Sequence, residues 1–349
     1  MLLKFAQTKY NIMSKEISLV TGANGHLGNN LVRLLLSKNL RVRATVRNAN
    51  NLESFEGLDC EVVPADITDR ASLKKAFKGI TNLYAVGANF SMWAKDPKVE
   101  IYDNNVKGTQ NVFDMARECG IQNIVYVSSV AALDFTQLPA NVDNGYNKDR
   151  RNWYYNSKND SDKLAIELGE KYGIRTVLIL PSAMIGSEAF KLSYTNKLVY
   201  QILNGEIPVD TNVTLNWIDV KDVASGAYKA MLKGKNGERY ILSNEQHTTL
   251  QESVKIASEL YPELKLKTPK KVPKSLLYCV AGLMEFGSKI TGKEPLLQRH
   301  YLDMFYGLKQ DYDIQKSRQE LDFNPKPSKE ALIDAMNYLK KDWGKKSTT

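Results

Sequence analysis

The sequence predicts an α/β fold: a doubly wound parallel sheet with helices on both faces, joined to a smaller, mostly helical C-terminal domain. Three observations predict it. Short apolar runs alternate with amphipathic stretches through the first half of the chain. Gly22, Gly25 and Gly28 stand directly behind the first apolar run, in "SLVTGANGHLGNN". After Pro181 the alternation gives way to loops and helical periodicity.

The elements follow in order. "EISLV" is the first strand, and Leu27, Leu31, Leu34 and Leu35 give the next segment one apolar helical face. One glycine would suffice for a turn between them, because only one residue there has to tolerate a positive φ. Three glycines ahead of a helix N-terminus suit a backbone that approaches a phosphate, with free amide N–H groups pointing at it. "RVRATV", "EVVPA", "NLYAV", "NIVYVSS" and "RTVLILP" read as further strands with helices between them, and "NWIDVKDVA" and "ERYILSN" as a return to the sheet. The organisation expected is a Rossmann-type dinucleotide-binding domain over 14–180, with strands from 214–245 returning to it. Residues 181–213 and 246–343 then form the substrate-binding domain, and 1–13 are a tail.

With 349 residues, 43% hydrophobic and 25% charged, the chain can bury one large core or two smaller ones. The net charge of +9 is concentrated in "KLKTPKKVPK" and "KKDWGKKSTT", with no basic run interleaved with aromatic residues. Nucleic acid is therefore not an expected partner, whereas an anionic cofactor is. No apolar run reaches the roughly 18 to 20 residues that span a bilayer, and no signal-peptide pattern opens the chain, so a cytoplasmic protein is expected. Cys60, Cys119 and Cys279 have no paired spacing, which indicates neither a disulfide framework nor a metal site. "KKVPKSLLYCVAGLMEFGSKI" joins a basic run to an apolar helix. It suits either peripheral contact with an anionic membrane or a helix packed inward with its charges solvated, and inward packing is the expectation.

The side chains around the glycines point to a nicotinamide dinucleotide. An acid after the second strand would accept from the adenosine ribose of NAD(H) and repel a 2′-phosphate. "RVRATVRNAN" has no acid; Arg47, with Arg43 as a helper, offers donors that match that phosphate, so NADP(H) is expected, with NAD(H) the alternative. Both arginines also read as solvated surface charges. Asp66, just past the third strand, is placed to accept from the adenine amino group with Ile67 packing on the ring, although an Asp there also caps helices, a role that Asp69 fits better.

"NWYYNSKNDSDKLA" holds Tyr154 and Lys158, four residues apart and so on one face of a helix. A phenol near its ordinary pKa of about 10 is a poor acid or base at neutral pH, and a neighbouring cation is the ordinary remedy. Ser129, at the end of the "YVSS" strand, can hydrogen-bond a substrate oxygen and hold it against Tyr154, with Ser128 the fallback. Hydroxyls there also cap helices. Tyr155 competes with Tyr154 for the catalytic role.

The Gly-x-x-Gly-x-x-Gly spacing behind Thr21, with Ser129 followed by the Tyr154/Lys158 pair, resembles the extended branch of the short-chain dehydrogenase/reductase superfamily, the NAD-dependent epimerase/dehydratase superfamily. "VRATVRN" and "WYYNSK" resemble its dihydroflavonol 4-reductase and 3β-hydroxysteroid dehydrogenase side, and the C-terminal pattern is also similar to hopanoid-associated sugar epimerases. The resemblance runs from about residue 14 to 343. It implies that Thr21, Gly22, Gly25, His26, Leu27, Gly28, Gly87, Ala88 and Pro181 join Arg47, Asp66, Ile67, Tyr154 and Lys158 around the cofactor. It also implies that Asn105 supports the lysine through water, and that the protein is a homodimer or a monomer. Ser129 is followed by "VAALD" and not by the Asp-Glu pair of the family's sugar dehydratases, which argues against dehydration.

The function expected is NADPH-dependent reduction, or the reverse oxidation, of a small hydrophobic carbonyl or alcohol compound, its pocket lined in part by Phe90, Met92, Trp93, Tyr194 and the loop from Phe135 to Tyr146. An NAD-dependent nucleotide-sugar epimerase and a non-catalytic NADP-sensing protein are the alternatives.

Overall fold

The computed structural model describes residues 16–48, 50, 52–87, 94, 96–291, 295 and 297–342. Expectations for residues 1–13 and for Ala88, Phe90, Met92 and Trp93 lie outside the described residues. The first half builds β1 (Ile17–Val20), α1 (His26–Ser37), β2 (Arg41–Val46), β3 (Glu61–Pro64), α2 (Arg70–Phe77), β4 (Asn82–Ala85), α3 (Asn104–Glu118), β5 (Asn123–Val127), α4 (Trp153–Tyr172) and β6 (Arg175–Pro181). The second half adds β7 (Ala183–Ile185), α5 (Tyr194–Leu203), β8 (Trp217–Asp219), α6 (Val220–Lys233) and β9 (Arg239–Leu242). It ends with α7 (Leu250–Leu260), α8 (Lys274–Thr291), α9 (Arg299–Phe305), α10 (Gln315–Leu321) and α11 (Ser328–Asp342).

Among the described residues the central sheet has seven strands in the order β9-β6-β5-β4-β1-β2-β3, every neighbouring pair parallel. The apolar runs that read as strands are those strands. β5 and β6 carry little but buried side chains, as a strand covered on both faces must. Local caps set the helix limits. Asp69 accepts from the Ala71 N–H at 2.9 Å and starts α2, Asn152 accepts from Tyr155 N–H at 3.0 Å and starts α4, and Gly173 ends α4 at φ +66°.

Of the two segments expected to rejoin the sheet, Arg239–Leu242 does so, as the edge strand beside β6. Trp217–Asp219 instead pairs with β7 in a separate two-stranded sheet. The reason is local: Asp219 accepts from the Lys221 N–H at 2.8 Å and turns the chain at once into α6, while fully buried Trp217 belongs to a second core. That second core gathers Trp217 with Val199 of α5, Leu250 of α7 and Leu332 and Met336 of α11, apart from the main core around the sheet. α8 packs inward as its sequence suggests, but by one face only. Leu277 and Ala281 are buried, whereas Leu276, Leu283, Phe286 and Ile290 face out.

Candidate active site

In a sheet whose strands are all parallel, the carboxyl ends of the strands share one edge, and the strand order reverses between β1 and β4. Thr21, Arg47, Asp66, Gly87 and Ser129 follow the ends of β1 to β5, and Pro181 closes β6. One edge of one sheet therefore gathers residues spread over 160 positions of sequence, from Thr21 to Pro181.

The glycine turn is built for close approach. Gly22 sits at φ +60°, and a Cβ on it would lie 2.9 Å from the Gly87 Cα. A Cβ on Gly28 would lie 2.4 Å from the Gly22 carbonyl oxygen, so the third glycine lets α1 pack against the turn. Gly25 is exposed and begins α1 with no side-chain cap and no acid in the first turn, which leaves the helix N-terminus open to an anion. The Thr21 hydroxyl accepts from the N–H groups of Val86 at 2.9 Å and Gly87 at 3.0 Å, tying the ends of β1 and β4 together. These features fit a dinucleotide.

The other expected cofactor residues divide. Arg47 is exposed and makes no hydrogen bond or ion pair among the described residues. Arg43, its expected helper, is committed elsewhere: its guanidinium donates to Glu61 at 2.7 Å and to the carbonyls of Ala76 at 2.7 Å and Lys78 at 2.8 Å. Asp66 accepts from the Thr68 N–H and hydroxyl at 2.8 and 2.7 Å through one oxygen only. Ile67 packs against Gly108, where an added Cβ would lie 2.6 Å from its Cδ1. Two residues can serve only through their backbone. The Leu27 side chain is in the core, and the His26 ring is held by the carbonyls of Gly186 and Ser187, each 3.1 Å from Nε2, with burial pulling its pKa down to about 4.

Across the sheet edge, α4 brings Tyr154 against Ser129. Burial pushes the Tyr154 phenol up to about 12, and its hydrogen bond with the Ser129 hydroxyl works against that rise. A neighbouring cation would lower the phenol, but in the fold burial dominates. Lys158 is buried, its Nζ donating to the Val127 carbonyl at 3.4 Å, and burial pulls its ammonium down to about 8 against the attraction of Asp162. The capping reading of Ser129 is what the fold displays, its oxygen accepting from Ala131 N–H at 3.1 Å at the start of a short turn. Ser128 is turned away, donating to Asp162 at 2.6 Å. Asn105 donates to the Ser157 hydroxyl at 3.1 Å and, with Lys158, Thr109, Tyr126 and Ser161, lines a cavity of about 10 Å³. That is close to the room one water molecule needs.

A buried polar cluster behind these residues escaped the sequence reading. Asp162 is fully buried, accepts from Ser128 and from the Tyr146 hydroxyl at 2.9 Å, and lies 3.2 Å from the buried Arg239 guanidinium. Burial pushes its carboxyl up, and Arg239 opposes that. Arg239 also lies over the Tyr146 ring, 4.2 Å from its centre. The signal was in α4: "NSKNDSDK" has no apolar residue, yet Asn156 to Asn159, Ser161 and Asp162 are all buried. A helix that buries such a run does so for hydrogen-bonding chemistry, since apolar transfer gains nothing there.

The sequence profile of the NAD dependent epimerase/dehydratase family matches residues 18–243. A protein of Synechocystis sp., provisionally named a dihydroflavonol 4-reductase, is 32% identical over 94% of this chain and 96% of its own length. Sterol demethylase protein B of Methylococcus capsulatus is 28% identical over 93% of this chain and 98% of its own. Among solved structures, that of gox2253 superposes with a TM-score of 0.78 at 29% identity, covering 93% of this chain and 98% of that one.

Proposed function

The chain belongs to the NAD dependent epimerase/dehydratase family of NAD(P)-dependent enzymes, and we propose that within it the protein is an NADPH-dependent reductase of a hydrophobic carbonyl compound. The observation that carries this reading is the Ser129–Tyr154 hydrogen bond with buried Lys158 one helical turn away. Gly22, Gly25, Gly28 and the open N-terminus of α1 would hold the pyrophosphate, Arg47 the 2′-phosphate, and Asp66 and Ile67 the adenine. When bound there, the reduced nicotinamide would supply the hydride chemistry at the carbonyl carbon.

The remaining work falls to the chain. Ser129 donates to the carbonyl oxygen and holds it against Tyr154. Tyr154, a phenol protonated at neutral pH and pushed further up by burial to about 12, gives that oxygen its proton as negative charge develops. Lys158, charged below about pH 8, offsets the phenolate left behind. Asn105 and Lys158 line the same small cavity, where one water between them would be able to return a proton. The division of roles assigns 181–213 and 246–343 to the substrate. A hydrophobic substrate is supported by the aromatic surroundings of Tyr154, whose ring lies 6.1 Å from that of Tyr155, with Phe135 and Tyr312 packed 6.2 Å apart nearby. The names of the Synechocystis and Methylococcus relatives support the same class.

The test is Tyr154→Phe, assayed by NADPH consumption against a panel of aromatic and alicyclic aldehydes and ketones. Turnover lost with NADPH binding kept is the expected result. Turnover retained overturns the assignment, and NAD that stays bound through purification puts the epimerase reading ahead.

A further inference from the structure

α8 has two different faces. Leu277 and Ala281 are buried in a small core with Leu302. On the other face Leu283, Phe286 and Ile290 are exposed by 74%, 67% and 73%, Leu276 is exposed as well, and exposed Cys279 falls in the same row. Positions 276, 279, 283, 286 and 290 form one stripe along about four turns. Isolated exposed apolar side chains are ordinary, but a continuous stripe of this length marks a surface that meets something. Just ahead of the helix, Lys265, Lys267, Lys270 and Lys271 are all exposed and take part in no ion pair among the described residues. Lys274, the next lysine, is by contrast held by Asp303 at 3.0 Å.

We propose that α8 is an interfacial helix that docks the protein peripherally on an anionic lipid surface. The apolar stripe enters the boundary between headgroups and acyl chains, and the four lysines meet lipid phosphates. Charge complementarity selects this occupant over a second copy. Pairing two stripes would bring together two sets of unpaired lysines on chains that each carry +9. The positions that flank the stripe, Val280, Gly282, Gly287 and Lys289, include no acid, so they lack the opposite charges that register paired helices. The contact is peripheral: among the described residues no helix is long and apolar enough to cross a membrane.

The experiment is flotation of the full chain with phosphatidylcholine vesicles, with and without phosphatidylglycerol, at low and high salt. Wild type should float with the anionic vesicles only, and salt should weaken it. Phe286→Gln and Ile290→Gln should each lower partitioning by about tenfold or more. Lys270→Gln combined with Lys271→Gln should lower it by roughly 30-fold. All these side chains are exposed, so far-ultraviolet circular dichroism and thermal midpoint should match wild type. Equal binding to neutral and anionic vesicles, or binding that these variants leave unchanged, overturns the proposal. So does a wild type that ignores vesicles and sediments as a dimer that Phe286→Gln dissociates.

Discussion

Replacing Lys158 with Met separates what this residue does for stability from what it does for chemistry. Lys158 is 5% exposed, and burial moves its ammonium from 10.5 down to about 8. Between those two values an unfolded chain still holds a proton that the folded chain has released, so stability rises with pH across that window. Below about pH 8 both states are protonated and the folded protein bears the whole cost of burying the charge, about 3 kcal/mol. Methionine keeps an unbranched apolar stem and removes the charge, but gives up the hydrogen bond to the Val127 carbonyl, worth about 1 kcal/mol. The variant should therefore be more stable than wild type by about 2 kcal/mol near pH 7, and its advantage should shrink by about 2 kcal/mol near pH 10. Urea unfolding of both proteins without cofactor at the two pH values measures this. Groups that titrate alike in both proteins cancel in the difference. A gap that stays constant or widens with pH refutes the reasoning, because an uncharged or solvated Lys158 would give that result. Turnover should vanish in the same variant, which would make this lysine a residue kept at the expense of stability.

Three further outcomes are expected. Arg47→Glu should weaken NADPH binding by about tenfold to a hundredfold and leave NADH nearly unchanged in fluorescence titrations; equal loss for both would make Arg47 a solvated surface charge. Gly28→Ala pushes a methyl to 2.4 Å from the Gly22 carbonyl oxygen; it should cost about 1–3 kcal/mol in urea unfolding and weaken NADPH binding as α1 shifts. Asp162→Asn leaves the Arg239 guanidinium buried without a counter-charge and should cost about 3 kcal/mol in the same assay, a loss below about 1 kcal/mol meaning that Arg239 finds solvent.

The sequence by itself determined the sheet, because a buried parallel strand must be an apolar run and a crossover helix must carry one apolar face. That is why six quoted runs reappear as β1 to β6. It also determined the glycine turn, since positive φ at Gly22 and the 2.4 Å approach at Gly28 admit no side chain. The Tyr154/Lys158 pair was legible for the same kind of reason: helical spacing is a local property. What only the tertiary structure decided are matters of competition for partners. Arg43 and Arg47 look alike in "RVRATVRN", yet packing of β2 against β3 and α2 engages Arg43 and leaves Arg47 exposed. Ser128 and Ser129 are neighbours on one strand end, and alternation along the strand turns one to Asp162 and the other to Tyr154. Arg239 and Asp162 are far apart in sequence and meet only because β9 adds to the sheet beside β6. The outward face of α8 was hidden for a related reason. An apolar stripe in a sequence gives its own direction on the helix, but which stripe finds a core depends on what the rest of the chain brings to it.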